Sequence, residues 1–242
     1  MAAFSDQIAV VTGASSGVGR AIALSLAKER ASLCLIGRNV DSLEVVAECA
    51  RATAPYARGY QTDLTQDKDI QELAARLRHH FGHIDLLVHS AGVITLGPVE
   101  SAAVEDFDWQ YRTNVRGPYL MTQALLPLLK PRHGQIVFIN SSVGLSAKAN
   151  VGQYAATKHA LKALADCLRD EVNADGMRVL SVFLGRTASR MQAAVHEREG
   201  RPYDPARLVQ PEDVASVVLE SLKLPRTAEV TDISIRPLFK SS

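Results

Sequence analysis

The sequence predicts an α/β protein built on a parallel sheet with helices on both faces, and three observations carry that prediction. Ile8–Thr12 (IAVVT) is a short, β-branched apolar run bounded by a glycine, which suggests a strand buried on both faces. The stretch that follows it, RAIALSLAKER, is apolar at helical spacing. Strand-like and helix-like segments then alternate along the chain, and such alternation assembles right-handed βαβ units.

Taken in order, strands are expected at Ile8–Thr12, Ser32–Ile36, Ala57–Gln61, Ile84–His89, Gln135–Asn140, Arg178–Phe183 and Thr231–Ile235. Asp41 with Glu44 reads as a capping box opening a helix through Ala52, and Thr65 as the N-cap of a helix to Phe81. Two helices, Val104–Val115 and Gly117–Leu129, are expected to be separated by a break at Thr113–Gly117. Gln153–Ala174 reads as one long helix. Pro211-Glu212-Asp213 starts another, with proline at the first position and acids in the first turn. No repeat, low-complexity stretch or Pro/Gly linker divides the 242 residues, so 1–242 is read as one domain.

Composition excludes several classes. Lys and Arg number 27 against 26 Asp and Glu, a formal +1, which suggests neither a nucleic-acid partner nor a membrane surface. No run approaches the ~20 apolar residues of a membrane span, and the first residues lack a basic, apolar leader, so a cytoplasmic location is expected. Cys34, Cys49 and Cys167 lie far apart and read as small buried hydrophobes, not a disulfide framework. His79 and His83 are four apart, but Gly82 intervenes and no acid or thiol completes a metal set.

Chemistry concentrates between Ser141 and Lys158. Tyr154 and Lys158, four apart, share one face of a helix, and Ser141 stands thirteen residues before the tyrosine at a strand end. A phenol, an ammonium and a hydroxyl so gathered can protonate a developing alkoxide, which is carbonyl reduction and needs a hydride donor. The turn Gly13-Ala14-Ser15-Ser16-Gly17-Val18-Gly19 lies between the first strand and the first helix, where glycines let a pyrophosphate approach backbone N–H groups. Its spacing, Gly-x-x-x-Gly-x-Gly, departs from the plain Gly-x-Gly-x-x-Gly fingerprint.

Together TGASSGVG, Ser90-Ala91-Gly92 at a strand end, Asn114, Ser141 and YAATK resemble the short-chain dehydrogenase/reductase family, from Ile8 to about Ile235. The resemblance implies a doubly wound, Rossmann-like domain with a predominantly parallel seven-stranded sheet in three layers, α/β/α. It also implies an NAD(P)(H) cofactor and hydride transfer at a carbonyl or alcohol. Matched residue by residue, Tyr154 becomes the proton donor or acceptor and Ser141 a hydrogen-bond donor to the substrate oxygen, with adjacent Ser142 its competitor. Lys158 resembles the family's ribose-binding lysine, and its charge, with the positive nicotinamide of the oxidised cofactor, is expected to lower the Tyr154 pKa. Asn114 would hold a water extending a proton path from Lys158, or else only interrupt the helices.

The cofactor site implied comprises Gly13, Ser15, Ser16, Gly17, Val18, Gly19, Arg38, Asn39, Asp63, Leu64, Ser90, Ala91, Gly92, Tyr154, Lys158, Gly185, Thr187 and Ser189. The second strand ends Leu35-Ile36-Gly37-Arg38-Asn39, with a guanidinium and no acid, which favours NADP(H) over NAD(H). Asp63-Leu64 matches the family's adenine contact. His89 and Leu184 stand where the family has asparagine and proline, and His89 reads as a packed histidine rather than a catalytic one. Residues 187–207 read as a substrate lid, with Met191 and Val195 turned inward and a solvated charged outer face. Lys148 has no evident role, and no dedicated basic cluster for an anionic substrate is evident in the sequence. The expected partner is a small carbonyl or alcohol, in a homodimer or homotetramer. The alternatives are a 3-oxoacyl-thioester reductase of fatty-acid synthesis and a catalytically idle sensor or scaffold on the same fold.

Overall fold

The computed structural model describes residues 2–239. Seven strands, β1 (Ile8–Thr12), β2 (Ser32–Gly37), β3 (Ala57–Gln61), β4 (Leu86–His89), β5 (Gln135–Ser141), β6 (Arg178–Leu184) and β7 (Asp232–Ile235), form one sheet in the order β3-β2-β1-β4-β5-β6-β7. Every pairing is parallel. The chain winds outward from β1 to β3, then returns to place β4 on the other side of β1, so the order reverses there. In open α/β sheets that reversal leaves a crevice at the carboxyl ends of the strands.

All five β1 residues are buried, which is why that run shows no polar alternation. Ala9 and Val11 pack with α1 (Gly17–Lys28), α2 (Val40–Arg51) and α8 (Pro211–Leu222). Ile8 and Val10 face the opposite layer, where α3 (Asp67–Phe81), α5 (Gly117–Leu129) and α6 (Gly152–Val172) lie.

Three local expectations are corrected. Asp41 is not the cap of α2: Asn39 is, its Oδ1 accepting from the Ser42 N–H at 2.8 Å. Thr65 does not cap α3, which begins at Asp67; the Thr65 N–H and hydroxyl both donate to Asp63 Oδ1 at 2.9 Å, forming a turn ahead of the helix. Cys34 is buried as expected, but Cys49 and Cys167 are exposed.

The expected break near Asn114 is instead a π-turn, Arg112–Arg116, joining α4 (Val104–Tyr111) to α5 without interruption. The Gly117 N–H donates to the Arg112 carbonyl five residues back. Pro118 has no N–H to offer the Asn114 carbonyl, so α-helical bonding cannot run through this point. Gly117 is also needed for close packing, since a Cβ there would lie 2.7 Å from the Leu64 carbonyl oxygen.

Between β1 and α1 the backbone is packed as tightly. Gly13 has φ +65°, and a Cβ on it would lie 2.8 Å from Ala91 N and Cα; a Cβ on Gly19 would strike the Gly13 carbonyl. Gly19→Ala should therefore cost about 1–3 kcal/mol of stability through overpacking against rigid backbone. Urea unfolding tests this, and an unchanged midpoint would mean that the turn has room the packing denies.

Candidate active site

A cleft of about 500 Å³ opens at the carboxyl ends of the strands, at the reversal between β1 and β4. Its two ends carry the two motifs. At one, Gly13, Ser15, Ser16, Gly17, Val18 and Gly19 form the floor. Ser16 precedes α1 and its hydroxyl makes no cap hydrogen bond to the helix. Beneath the turn lies Thr12, fully buried, whose Oγ1 accepts from the N–H groups of Ser90 (3.0 Å) and Ala91 (3.2 Å) and donates to the Val88 carbonyl (3.3 Å). One hydroxyl thus ties the end of β1 to the end of β4. That role escaped the sequence reading, although the threonine opens the quoted TGASSGVG.

Arg38 and Asp63 stand on the cleft wall at the ends of β2 and β3, with Leu64 beside them. The Arg38 backbone is fixed by Gln61, whose Nε2 donates to its carbonyl at 3.1 Å, while its side chain is exposed. Asp63 Oδ1 is used within its own turn. Asn39, grouped with the cofactor residues from sequence, does not line the cleft; its side chain is spent capping α2.

At the other end, Ser141, Tyr154 and Lys158 share the cleft with Ser90, Ala91 and Gly92. Lys158 is only 4% exposed, and its Nζ donates to the Ile139 carbonyl at 3.1 Å and lies 5.7 Å from the centre of the Tyr154 ring. Burial pushes the ammonium down to about 8. Burial also pushes the Tyr154 phenol up to about 12, opposed by hydrogen bonding with the Ser141 side chain. The direction is opposite to the lowering expected from the Lys158 charge, because desolvation of the phenol is the dominant cause. Ser141 and Ser142 both reach the cleft, Ser141 at the end of β5 and Ser142 in the turn beyond it.

Asn114 is wholly buried and does not line the cleft. Its Oδ1 accepts from the Val93 N–H and its Nδ2 donates to the Val93 carbonyl, both at 2.9 Å, and Nδ2 also donates to Thr157 Oγ1 at 3.1 Å. Both amide hydrogens are engaged, so the side chain clamps the strand-end loop; the Asn114 carbonyl in the π-turn is the group denied an ordinary helical partner by Pro118.

Gly185, Thr187 and Ser189 reach the cleft after β6. The Gly185 N–H donates to the Ile235 carbonyl at 2.7 Å, which holds the turn where proline is missing. Thr187 Oγ1 donates to the Gly185 carbonyl, and Ser189 caps α7 (Arg190–Arg198) by accepting from the Gln192 N–H at 3.1 Å. Helix α7 brings Met191 and Val195 to the cleft. Its charges are not all solvated, however. Arg186 NH2 donates to Glu199 Oε1 and Oε2 at 2.9 and 2.7 Å, and its NH1 lies 3.3 Å from His196 Nε2. Lys148, Arg186 and Arg190 all line the cleft with a single acid, Glu199, near them. Lys148 lies far in the chain from Arg186 and Arg190, so their place on one cleft is not evident from sequence.

His89 is packed as expected, stacked on Phe138 with Nε2 2.9 Å from Thr122 Oγ1. Among the described residues no three His, Cys, Asp or Glu side chains gather as a metal site, and no helix is long and apolar enough to cross a membrane.

A glycine turn at a sheet reversal, sharing its cleft with a partly exposed serine and tyrosine and a buried lysine, is the arrangement of an oxidoreductase that works with a dinucleotide. The sequence comparisons agree: the family described as short chain dehydrogenase matches residues 7–200, and the chain belongs to that family. An uncharacterized oxidoreductase of Staphylococcus epidermidis is 33% identical over 239 residues, 98% of this chain and 100% of that protein. The alcohol dehydrogenase of the archaeon Thermococcus sibiricus, solved with 5-hydroxy-NADP, superposes with a TM-score of 0.89 at 27% identity, covering 98% of each chain. A metagenomic short-chain oxidoreductase solved with NADP gives 0.85 at 28% identity over 98% of this chain and 100% of the other.

Burial holds the His89 pKa down to about 3, against about 6.5 when unfolded. The unfolded chain then binds the extra proton between those values, so the stability this group contributes is complete above pH 6.5 and is lost as pH falls towards 3. The slope is about 1.4 kcal/mol per pH unit. His89→Asn should flatten the fall in unfolding free energy between pH 6.5 and 4.5 by about that amount; an unaltered slope would remove His89 from the acid response.

Proposed function

We propose that the protein transfers a hydride between NADP(H) and the carbonyl or alcohol carbon of a small molecule, with Tyr154 exchanging the proton. The observation that carries this reading is the placement of Tyr154 and Ser141 side by side on the same cleft whose far end is the glycine turn. Gly17 leaves the backbone bare towards the cleft where a pyrophosphate is to lie, Gly13 and Gly19 let the turn pack tightly beneath it, and the helix α1 that they open presents its N-terminal N–H groups. Asp63 and Leu64 would hold the adenine, Lys158 the ribose of the nicotinamide half, and Thr187 and Ser189 its carboxamide. When bound, the nicotinamide supplies or accepts the hydride.

This chain's own residues manage the proton. Ser141 donates a hydrogen bond to the substrate oxygen and so favours the developing negative charge. With its pKa pushed up to about 12, the Tyr154 phenol keeps its proton at neutral pH until an alkoxide forms beside it, which suits reduction. Lys158, at about 8, remains largely protonated at pH 7 and lies behind the ring as a proton reservoir. The Asn114 carbonyl, freed by Pro118, is the acceptor that would hold a water between Lys158 and solvent.

NADP(H) is assigned over NAD(H) because Arg38 lines the cleft at the end of β2, where no acid is present to repel a 2′-phosphate. The NADP complexes of the Thermococcus sibiricus and metagenomic relatives support the same choice. Around the substrate end, Leu96, Val143, Val151 and Met191 give an apolar wall suited to small aldehydes and ketones. Trp109, Tyr111 and Tyr119, each more than a third exposed along α4 and α5, support assembly as a homodimer or homotetramer.

Tyr154→Phe should lower kcat for NADPH-dependent carbonyl reduction by about 10²–10⁴-fold with NADPH binding retained. Retained turnover in that variant would take the proton from another donor. Arg38→Asp should shift the ratio of kcat/KM for NADPH over NADH towards NADH by roughly 10–100-fold, the worth of a charge-assisted contact. An unchanged ratio would place the 2′-phosphate elsewhere.

A further inference from the structure

Asn140 is the polar exception in the β5 row that begins with Ile136 and Phe138 and packs towards the α6 layer. It is 3% exposed. A buried amide needs partners, and this one has two, both on backbone that flanks the chemistry. Its Oδ1 accepts from the Ser141 N–H at 2.7 Å, and its Nδ2 donates to the Lys158 carbonyl at 3.1 Å. A backbone N–H can only donate and a carbonyl only accept, so these partners fix which way the amide points.

The bridge joins two segments that must be mutually placed. Ser141 stands at the end of a strand; Tyr154 and Lys158 stand on a helix. Lys158 is held at a second point, its Nζ donating to the carbonyl of Ile139, the residue before Asn140. The turn after Ser141 is fitted over the bridge: a Cβ on Gly144 would lie 2.8 Å from Asn140 Oδ1 and 2.9 Å from the Lys158 carbonyl oxygen. Asn140 also reaches the cleft itself.

We propose that Asn140 is a positioning residue, its single amide setting the distance between Ser141 on the strand and the Tyr154–Lys158 pair on the helix. This rests on the function assigned above to those three residues. A displacement of about 1 Å between such groups is enough to cost about 10²-fold in rate.

The test compares Asn140→Leu with the unaltered protein, both counted as NADPH-binding sites so that misfolded chains do not enter the rate. Carbonyl reduction per site should fall about 10²-fold, with KM for NADPH changed less than about twofold. In a Ser141→Ala background the same substitution should cost less than about threefold, because the group it positions is gone. Full loss in both backgrounds, or an unimpaired rate per site, overturns the role. Should Asn140→Leu fail to fold, Asn140→Asp keeps the acceptor for Ser141 and loses the donor to Lys158. Its carboxylate should lower the rate and move the basic limb of the pH profile upward; an unaltered rate and profile overturn the role equally. Unaltered protein that binds NADPH but reduces none of a panel of aldehydes and ketones would overturn the functional reading and this inference together, whereas normal turnover beside an unimpaired Asn140→Leu would overturn this inference alone.

Discussion

An amine buried in the wall of a cleft is the constraint on which the site depends. Taking the Lys158 ammonium out of water is costly unless partners stand ready, and here they are the Ile139 carbonyl and the face of the Tyr154 ring. Those partners demand that β5 end where it does and that α6 cross it at a fixed height. Gly144 then becomes an obligatory small residue, because a side chain there would crowd Asn140 Oδ1 and the Lys158 carbonyl. The same dry surroundings that depress the lysine raise the phenol, so both shifts have one physical origin.

The two ends of the cleft are coupled through the short segment 90–93. Its first two N–H groups hang from Thr12, and Ala91 packs against Gly13, so the segment belongs to the glycine turn. Its far end, Val93, is clamped by Asn114, which in turn contacts Thr157 beside Lys158. A chain of side-chain hydrogen bonds and close packing therefore runs from the glycine turn to the helix that carries Tyr154 and Lys158. The π-turn has a place in that chain, because it brings Asn114 to Val93 while Gly117 lets α5 lie against Leu64.

Much of this was legible in sequence because it depends on local spacing. The β-branched run IAVVT announced a strand buried on both faces, and the four-residue step from Tyr154 to Lys158 announced a shared helical face. What escaped depends on partners distant in the chain. Thr12 was read as part of a motif although its hydroxyl joins two strands, and Asn140 as a strand end although it joins Ser141 to Lys158. Asn39 and Asp41 both offer capping oxygens within two residues, and local pattern chose the wrong one. Lys148, Arg186, Arg190 and Glu199 meet on one cleft only in the folded chain, since Lys148 is remote in sequence from the other three. The direction of the tyrosine shift required knowing how deeply the ring is buried.

The central claim is that a hydride passes directly between the nicotinamide and a carbonyl carbon held beside Tyr154. The two C4-deuterated epimers of NADPH, each incubated with the protein and an aldehyde or ketone that it reduces, test this most directly. Mass spectrometry should find one deuterium on the carbinol carbon from one epimer and none from the other. Deuterium appearing in solvent, or in product equally from both epimers, would contradict the account.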